Sequence, residues 1–162
     1  MIALASDHGG FELKNAIKTL LDELALPYKD FGTDNAAPCD YADYAAPAAR
    51  TVASGDCDRG LLFCGTGAGM NCAANKVRGI RCVVCSDCFT AEMSRAHNDA
   101  NMLALGGRVV GVGLARQIVK IWLETPFSGD ERHKRRISQI AALEAAPTLR
   151  VGLRSLPLNA EP

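Results

Sequence analysis

The sequence predicts an α/β protein built on a parallel sheet of five strands with helices on both faces. Two patterns carry that prediction. Short apolar runs recur without the polar–apolar alternation of a half-exposed strand, as expected where both faces of a sheet are buried. Each run is followed by a stretch whose apolar residues fall at helical intervals, so the chain alternates strand and helix.

The first run, 2–6, ends in Asp7-His8-Gly9-Gly10, after which Leu13, Ile17, Leu20, Leu21 and Leu24 mark one helix face. Residues 28–31 predict a second strand, and 41–53 a helix despite Pro47. The third strand, 60–64, runs into a glycine-rich turn that opens a helix. A strand at 80–85, a helix at 89–96, a strand at 102–105 and a helix at 114–123 complete the alternation. Pro126 and Gly129 interrupt it, and 131–145 has the composition of an extra C-terminal helix. Its few apolar anchors, Ile137, Ile140, Ala141 and Leu143, suit packing on another subunit. Residues 1–146 are assigned to one domain, and 147–162 to a tail without periodicity or assigned structure.

A chain of 162 residues with 48% apolar and 22% charged residues has the profile of one soluble globular domain. Eighteen basic side chains balance eighteen acidic ones, so net charge gives no reason to expect nucleic acid or an anionic membrane as partner. The first residues carry no basic leader, and no apolar stretch reaches the length of a membrane span. A cytoplasmic location is therefore expected, with the seven cysteines reduced; an odd count also argues against a closed disulfide framework.

In an open α/β sheet, ligands bind beyond the carboxyl ends of the strands. Those ends are Ser6-Asp7-His8, Cys64-Gly65-Thr66-Gly67, Ser86-Asp87 and Gly106-Gly107-Arg108. The run Cys64-Gly65-Thr66-Gly67-Ala68-Gly69 turns backbone N–H groups outward at a helix start, which makes an anion cradle. The glycines alone fit a nucleotide or phosphate loop, or a turn with no ligand, equally well. Cys64 adds chemistry, because a helix N-terminus favours the thiolate. Cys72 reads as a buried apolar cysteine. Cys82, Cys85 and Cys88 have zinc-like spacing, but 82 and 85 face opposite sides of the strand and no second ligand pair accompanies them, so no metal site is assigned. His8 and His97 fall beside polar residues at element ends. Arg132 and Arg136, four apart, share one helix face and suit a dianionic phosphate, although such a face is also compatible with simple solvation.

Ser-Asp-His-Gly-Gly-Phe at 6–11, Cys-Gly-Thr-Gly-Ala-Gly at 64–69, Ala-Ala-Asn-Lys-Val-Arg-Gly-Ile-Arg at 73–81, Arg-Ala-His-Asn-Asp at 95–99 and Gly-Gly-Arg-Val-Val-Gly at 106–111 together resemble the ribose-5-phosphate isomerase B and galactose-6-phosphate isomerase family. The resemblance runs in order from residue 2 to about 143. It implies a three-layer Rossmann-like fold, a homodimer or dimer of dimers with shared active sites, a small phosphorylated sugar as substrate, and no cofactor. It further implies Cys64 as the proton-abstracting base, Thr66 as the assisting hydroxyl, and the amides of Gly65, Thr66, Gly67, Ala68 and Gly69 as the enediolate cradle. His97 matches the residue that opens the furanose ring. Asp7 and Asn98 match hydroxyl ligands, Tyr41 lies on a substrate-contacting segment, and His8, Arg108, Arg132 and Arg136 match phosphate ligands, the last two reaching into the partner's site. One branch of the family carries a glutamate base where Met70 stands, which implies that this chain belongs to the cysteine branch. The activity implied is interconversion of D-ribose 5-phosphate and D-ribulose 5-phosphate in the pentose phosphate pathway. Isomerisation of allose or galactose 6-phosphate is the near alternative, and a non-catalytic phosphosugar sensor a more distant one. A nicotinamide dehydrogenase fits poorly, because the next strand ends in Cys85-Ser86 rather than an acidic ribose ligand.

Overall fold

β1 (Ile2–Ser6) is buried along its whole length, and so is β5 (Met102–Gly106), as the unbroken apolar runs require. The computed structural model describes residues 1–145; the tail expected at 147–162 lies outside the described residues. The remaining elements are α1 (Phe11–Glu23), β2 (Tyr28–Asp30), α2 (Tyr41–Ser54), β3 (Arg59–Cys64), α3 (Ala68–Ala74), β4 (Cys82–Val84), α4 (Cys88–Asn98), α5 (Val112–Glu124) and α6 (Glu131–Ala145). All neighbouring strands pair in parallel in the order β2-β1-β3-β5-β4, giving the expected three-layer Rossmann-like arrangement.

Alternate residues of each strand feed two cores. On one face Leu4, Leu61, Phe63, Leu103 and Leu105 pack under Ile17 and Leu20 of α1, Ala91 of α4 and Ile118 and Trp122 of α5. On the other, Ala3, Ala5, Leu62 and Ala104 meet Ala45, Ala48 and Ala49 of α2 and Met70 and Ala74 of α3. Small residues on both sides let α2 and α3 lie close to the sheet.

The two edge strands are shorter than the sequence predicts. β2 stops at Asp30 rather than 31, and β4 spans three residues rather than 80–85, because each pairs on one side only. Cys82 and Cys85 do enter opposite cores. Burial pushes both thiols up, Cys85 to about 11, so neither supplies a thiolate near neutral pH. The expectation for Cys72 fails: it lies exposed on α3, since that short helix presents Met70 and Ala74 to the core and turns residue 72 outward.

Helix α6 packs on α4 through a single buried side chain, His133. Ile140 and Leu143 remain exposed. Its far end is tied to the turn before β4, where the Glu144 carboxylate accepts the Gly79 N–H at 3.0 Å and the Glu144 carbonyl accepts from Arg78 at 2.6 Å.

Candidate active site

From β1 the chain runs through α1 to β2 in one direction along the sheet, and from β3 through α3 to β4 in the other, so a crevice opens where the carboxyl ends of β1 and β3 part. The loops after β1, β3 and β5 close it from below. Asp7 N–H donates to Phe63 O at 3.1 Å, Gly107 N–H to Cys64 O at 2.8 Å and Arg108 N–H to Gly65 O at 3.0 Å. This backbone-to-backbone packing needs glycine at its contact points: a Cβ on Gly106 would lie 2.8 Å from Thr66 Cα, and one on Gly9 2.9 Å from Gly65 N. The result is a cleft of about 290 Å³ lined by Asp7, His8, Gly9, Tyr41, Cys64, Gly65, Thr66, Gly69 and Arg108.

Cys64 is the last residue of β3, and its Sγ accepts the Gly67 N–H at 3.0 Å. That contact follows from Gly67, whose φ of +83° reverses the chain into α3. The Ala68 N–H meanwhile turns to Thr66 Oγ1 at 3.3 Å. Two of the five amides expected in the cradle are therefore committed to the sulfur and to the Thr66 hydroxyl. The amides of Gly65, Thr66 and Gly69 have no hydrogen-bond partner among the described residues. Asp7 is nearly buried and uses Oδ1 to accept the Gly9 and Gly10 N–H groups at 2.8 and 3.1 Å, which leaves Oδ2 for a ligand. His8 Nδ1 accepts the Cys39 N–H at 3.2 Å, so a neutral ring carries its proton on Nε2, as a donor. The Tyr41 ring lies over Gly69, and the Arg108 guanidinium lies over Gly65. Met70 is fully buried in the core beneath this loop.

The other expected site residues lie elsewhere. Helix α4 starts beyond the carboxyl end of β4 and runs back along the sheet, which carries His97 and Asn98 to the opposite edge. There the Asn98 carbonyl accepts from Arg81 Nε at 3.0 Å, just before β4 begins. Arg132 and Arg136 are exposed on α6 beside them, Arg132 paired with Asp130 at 3.3 Å. β3 alone separates the two edges by about 16 Å, at 3.3 Å per residue. One chain therefore assembles Asp7, His8, Tyr41, Cys64, Gly65, Thr66, Gly67, Ala68, Gly69 and Arg108, and keeps His97, Asn98, Arg132 and Arg136 apart from them. At Ser86-Asp87 the Asp87 carboxylate caps α4, accepting from Thr90 N–H at 2.7 Å and Thr90 Oγ1 at 2.8 Å.

A larger cleft of about 490 Å³ opens between Met1, Leu26, Arg59 and Lys120, but it holds neither a reactive thiol nor a glycine cradle. Among the described residues no three His, Cys, Asp or Glu side chains gather to hold a metal ion, and no helix is long and apolar enough to cross a membrane. The backbone N–H of Cys39, which sets the orientation of His8, leaves no trace in the sequence, because any residue but proline supplies the same group.

Comparison with known proteins shows the family. The Ribose/Galactose Isomerase family matches residues 2–140. A Bacillus subtilis protein, YwlF, provisionally named a sugar phosphate isomerase, is 54% identical over 88% of this chain and 96% of its own. Ribose-5-phosphate isomerase B of Escherichia coli is 48% identical over 88% of this chain and 95% of its own. The structure of ribose-5-phosphate isomerase B from Clostridium thermocellum superposes with a TM-score of 0.87 at 49% identity, covering 89% of this chain and 97% of that one.

Proposed function

The chain belongs to the ribose/galactose isomerase family of sugar phosphate isomerases, and we propose that its own reaction is the interconversion of D-ribose 5-phosphate and D-ribulose 5-phosphate, with Cys64 moving the proton. The observation that carries this reading is the Cys64 sulfur at the mouth of a glycine turn whose amides of Gly65, Thr66 and Gly69 are left for an incoming oxygen. The open-chain aldose lies with C2 against Cys64 Sγ. The thiolate takes the C2 proton, and the electrons of that C–H bond form the C1–C2 double bond of a cis-enediolate. Negative charge develops on the sugar oxygen, where fixed amides in a dry cleft stabilise it most. The thiol then returns the proton to C1, while the Thr66 hydroxyl passes the remaining proton between O1 and O2. No electron leaves the sugar.

Asp7 Oδ2 holds a sugar hydroxyl, Tyr41 covers the chain, and His8 Nε2–H and Arg108 take phosphate oxygens. His97, Asn98, Arg132 and Arg136 come from a second subunit whose opposite edge closes the cleft. There His97 opens the furanose by moving a proton from the anomeric hydroxyl to the ring oxygen, and the two arginines complete the phosphate clamp. A homodimer or dimer of dimers is supported by the exposed Val109, Val112 and Leu114 beside Arg108, apolar side chains that a partner would cover. The reduced thiol suits the cytoplasm.

Solution NMR of ribose 5-phosphate in deuterated water tests the base. Cys64→Ser is expected to slow deuterium uptake at C2 by at least about 100-fold, the range a positioned base supplies, with phosphate-ester binding nearly unchanged. Uptake at the parent rate would remove Cys64 from the reaction. The six-carbon alternative stands because the family spans ribose and galactose isomerases. A kcat/KM for allose or galactose 6-phosphate far above that for ribose 5-phosphate would reverse the order.

A further inference from the structure

We propose that His133 is a positioning residue for His97: a neutral imidazole, fixed from behind by Ser128, against which the His97 ring rests so that it meets the sugar in one orientation. The inference rests on the ring-opening role given to His97 above. The two rings face each other with centroids 4.3 Å apart and planes inclined by 38°. His133 is the one α6 side chain that is buried, at 3% exposure, while Ile140 and Leu143 on the same helix stay exposed. Anchoring a helix would be served better by an apolar side chain there; a buried imidazole must have its nitrogens satisfied.

On the Nδ1 side that partner is built in. Ser128 Oγ lies 2.8 Å from His133 Nδ1 and accepts the Asp130 N–H at 3.3 Å, while the Ser128 N–H donates to Ala96 O at 3.0 Å, one residue before His97. The hydroxyl and Nδ1 share one proton, and the bond forms whichever of the two carries it. Ring rotation is set by a hook that runs from Ala96 on the last turn of α4 through Ser128 to the ring that faces His97.

The charged and titratable groups facing His133 are His97 from α4, Arg132 and Arg136 from α6, and Asp130 from the turn before it. Burial, followed by His97 and Arg132, holds its pKa below the ordinary histidine value, against a smaller opposing effect of Asp130.

The test separates ring opening from proton transfer. D-Ribulose 5-phosphate has no free hydroxyl with which to close a furanose, so exchange of its C1 hydrogen in deuterated water reports Cys64 chemistry alone. Conversion of ribose 5-phosphate requires ring opening as well. For His133→Ala we expect kcat with ribose 5-phosphate to fall about tenfold or more, as misplaced groups cost, with KM and C1 exchange within about twofold of the parent. His133→Phe keeps a flat ring but loses the bond to Ser128, so, like Ser128→Ala, it is expected to retain only part of the parent kcat. Equal losses in conversion and exchange, a rise in KM at constant kcat, or parent-like kinetics in His133→Ala would each overturn the positioning role. If His133→Ala does not fold, Ser128→Ala removes only the hook, and the same split between conversion and exchange is expected; its absence counts against the proposal. A parent protein that exchanges hydrogen on neither sugar would instead sink the isomerase reading, and with it this one.

Discussion

A Cβ on residue 10 would sit 2.2 Å from the Phe63 carbonyl carbon and 2.5 Å from Cys64 N, both backbone atoms that no rotamer change can move. Gly10 is therefore required by the closeness of two strand ends. Gly10→Ala should destabilise the protein by about 3 kcal/mol, the upper range for overpacking, and should lower activity further by pushing Asp7 and His8 off the cleft. Urea unfolding checks the first effect and kinetics the second; unchanged stability would mean that the loops have room to part. At this scale the sequence is most informative where the site is contiguous. Cys64 through Gly69 carry their groups in order, so thiol, hydroxyl and amides are legible together. What the sequence hides is which amide serves which group, since the turn at Gly67 aims its N–H at the sulfur and that of Ala68 at Thr66. His8 is legible as a residue, but its tautomer depends on the Cys39 amide, 31 positions away.

At the scale of elements, the most demanding polar contact lies between α1 and the end of β2. Lys14 Nζ is buried, at 1% exposure, and donates to Asp30 Oδ1 at 2.8 Å and to Thr33 O at 2.6 Å, while Lys18 takes the other Asp30 oxygen at 2.9 Å. Burial alone would raise the Asp30 pKa, but the two ammonium groups and the Gly32 N–H outweigh it and hold the carboxyl below its ordinary value. A carboxyl with a lowered folded-state pKa adds stability above its unfolded value of 3.8, and that stability is lost as pH falls through the folded value. Asp30→Asn should cost about 3 kcal/mol at neutral pH, because it leaves a buried ammonium without its counter-charge, and should flatten the acid limb of stability below about pH 4. Equal urea midpoints for the two proteins at pH 7 would show the pair to be dispensable. Element order and type were legible because buried parallel strands and amphipathic helices write different periods. Edge strands were not: β2 and β4 have the composition of longer strands, and their ends are decided by pairing on one side only. Cys72 misled for a related reason, since α3 is too short for periodicity to show which side faces the sheet.

Considered whole, the molecule carries two incomplete sets of groups on opposite edges of one sheet. The Cys64 thiol, the Thr66 hydroxyl, the amides and Arg108 lie beyond the carboxyl ends of β1, β3 and β5, and His97, Asn98, Arg132 and Arg136 lie where α4 and α6 meet. The sequence identifies both sets but not their separation, because a helix eleven residues long reverses the chain between Ser86-Asp87 and His97 without changing what the residues are. If each cleft of a homodimer is closed by the partner's α4 and α6, a defect in either set is complemented across subunits. Cys64→Ser and His97→Asn proteins are each expected to be nearly inactive on ribose 5-phosphate. Unfolded together and refolded at equal amounts, half of the dimers are mixed, and each mixed dimer has one site with both defects and one with neither. Activity should then return to about a quarter of the parent's, a value set by the symmetry of the dimer alone. A mixture that stays as inactive as its components would place both sets in the same chain's site, and would require α6 and the end of α4 to leave the positions they occupy here.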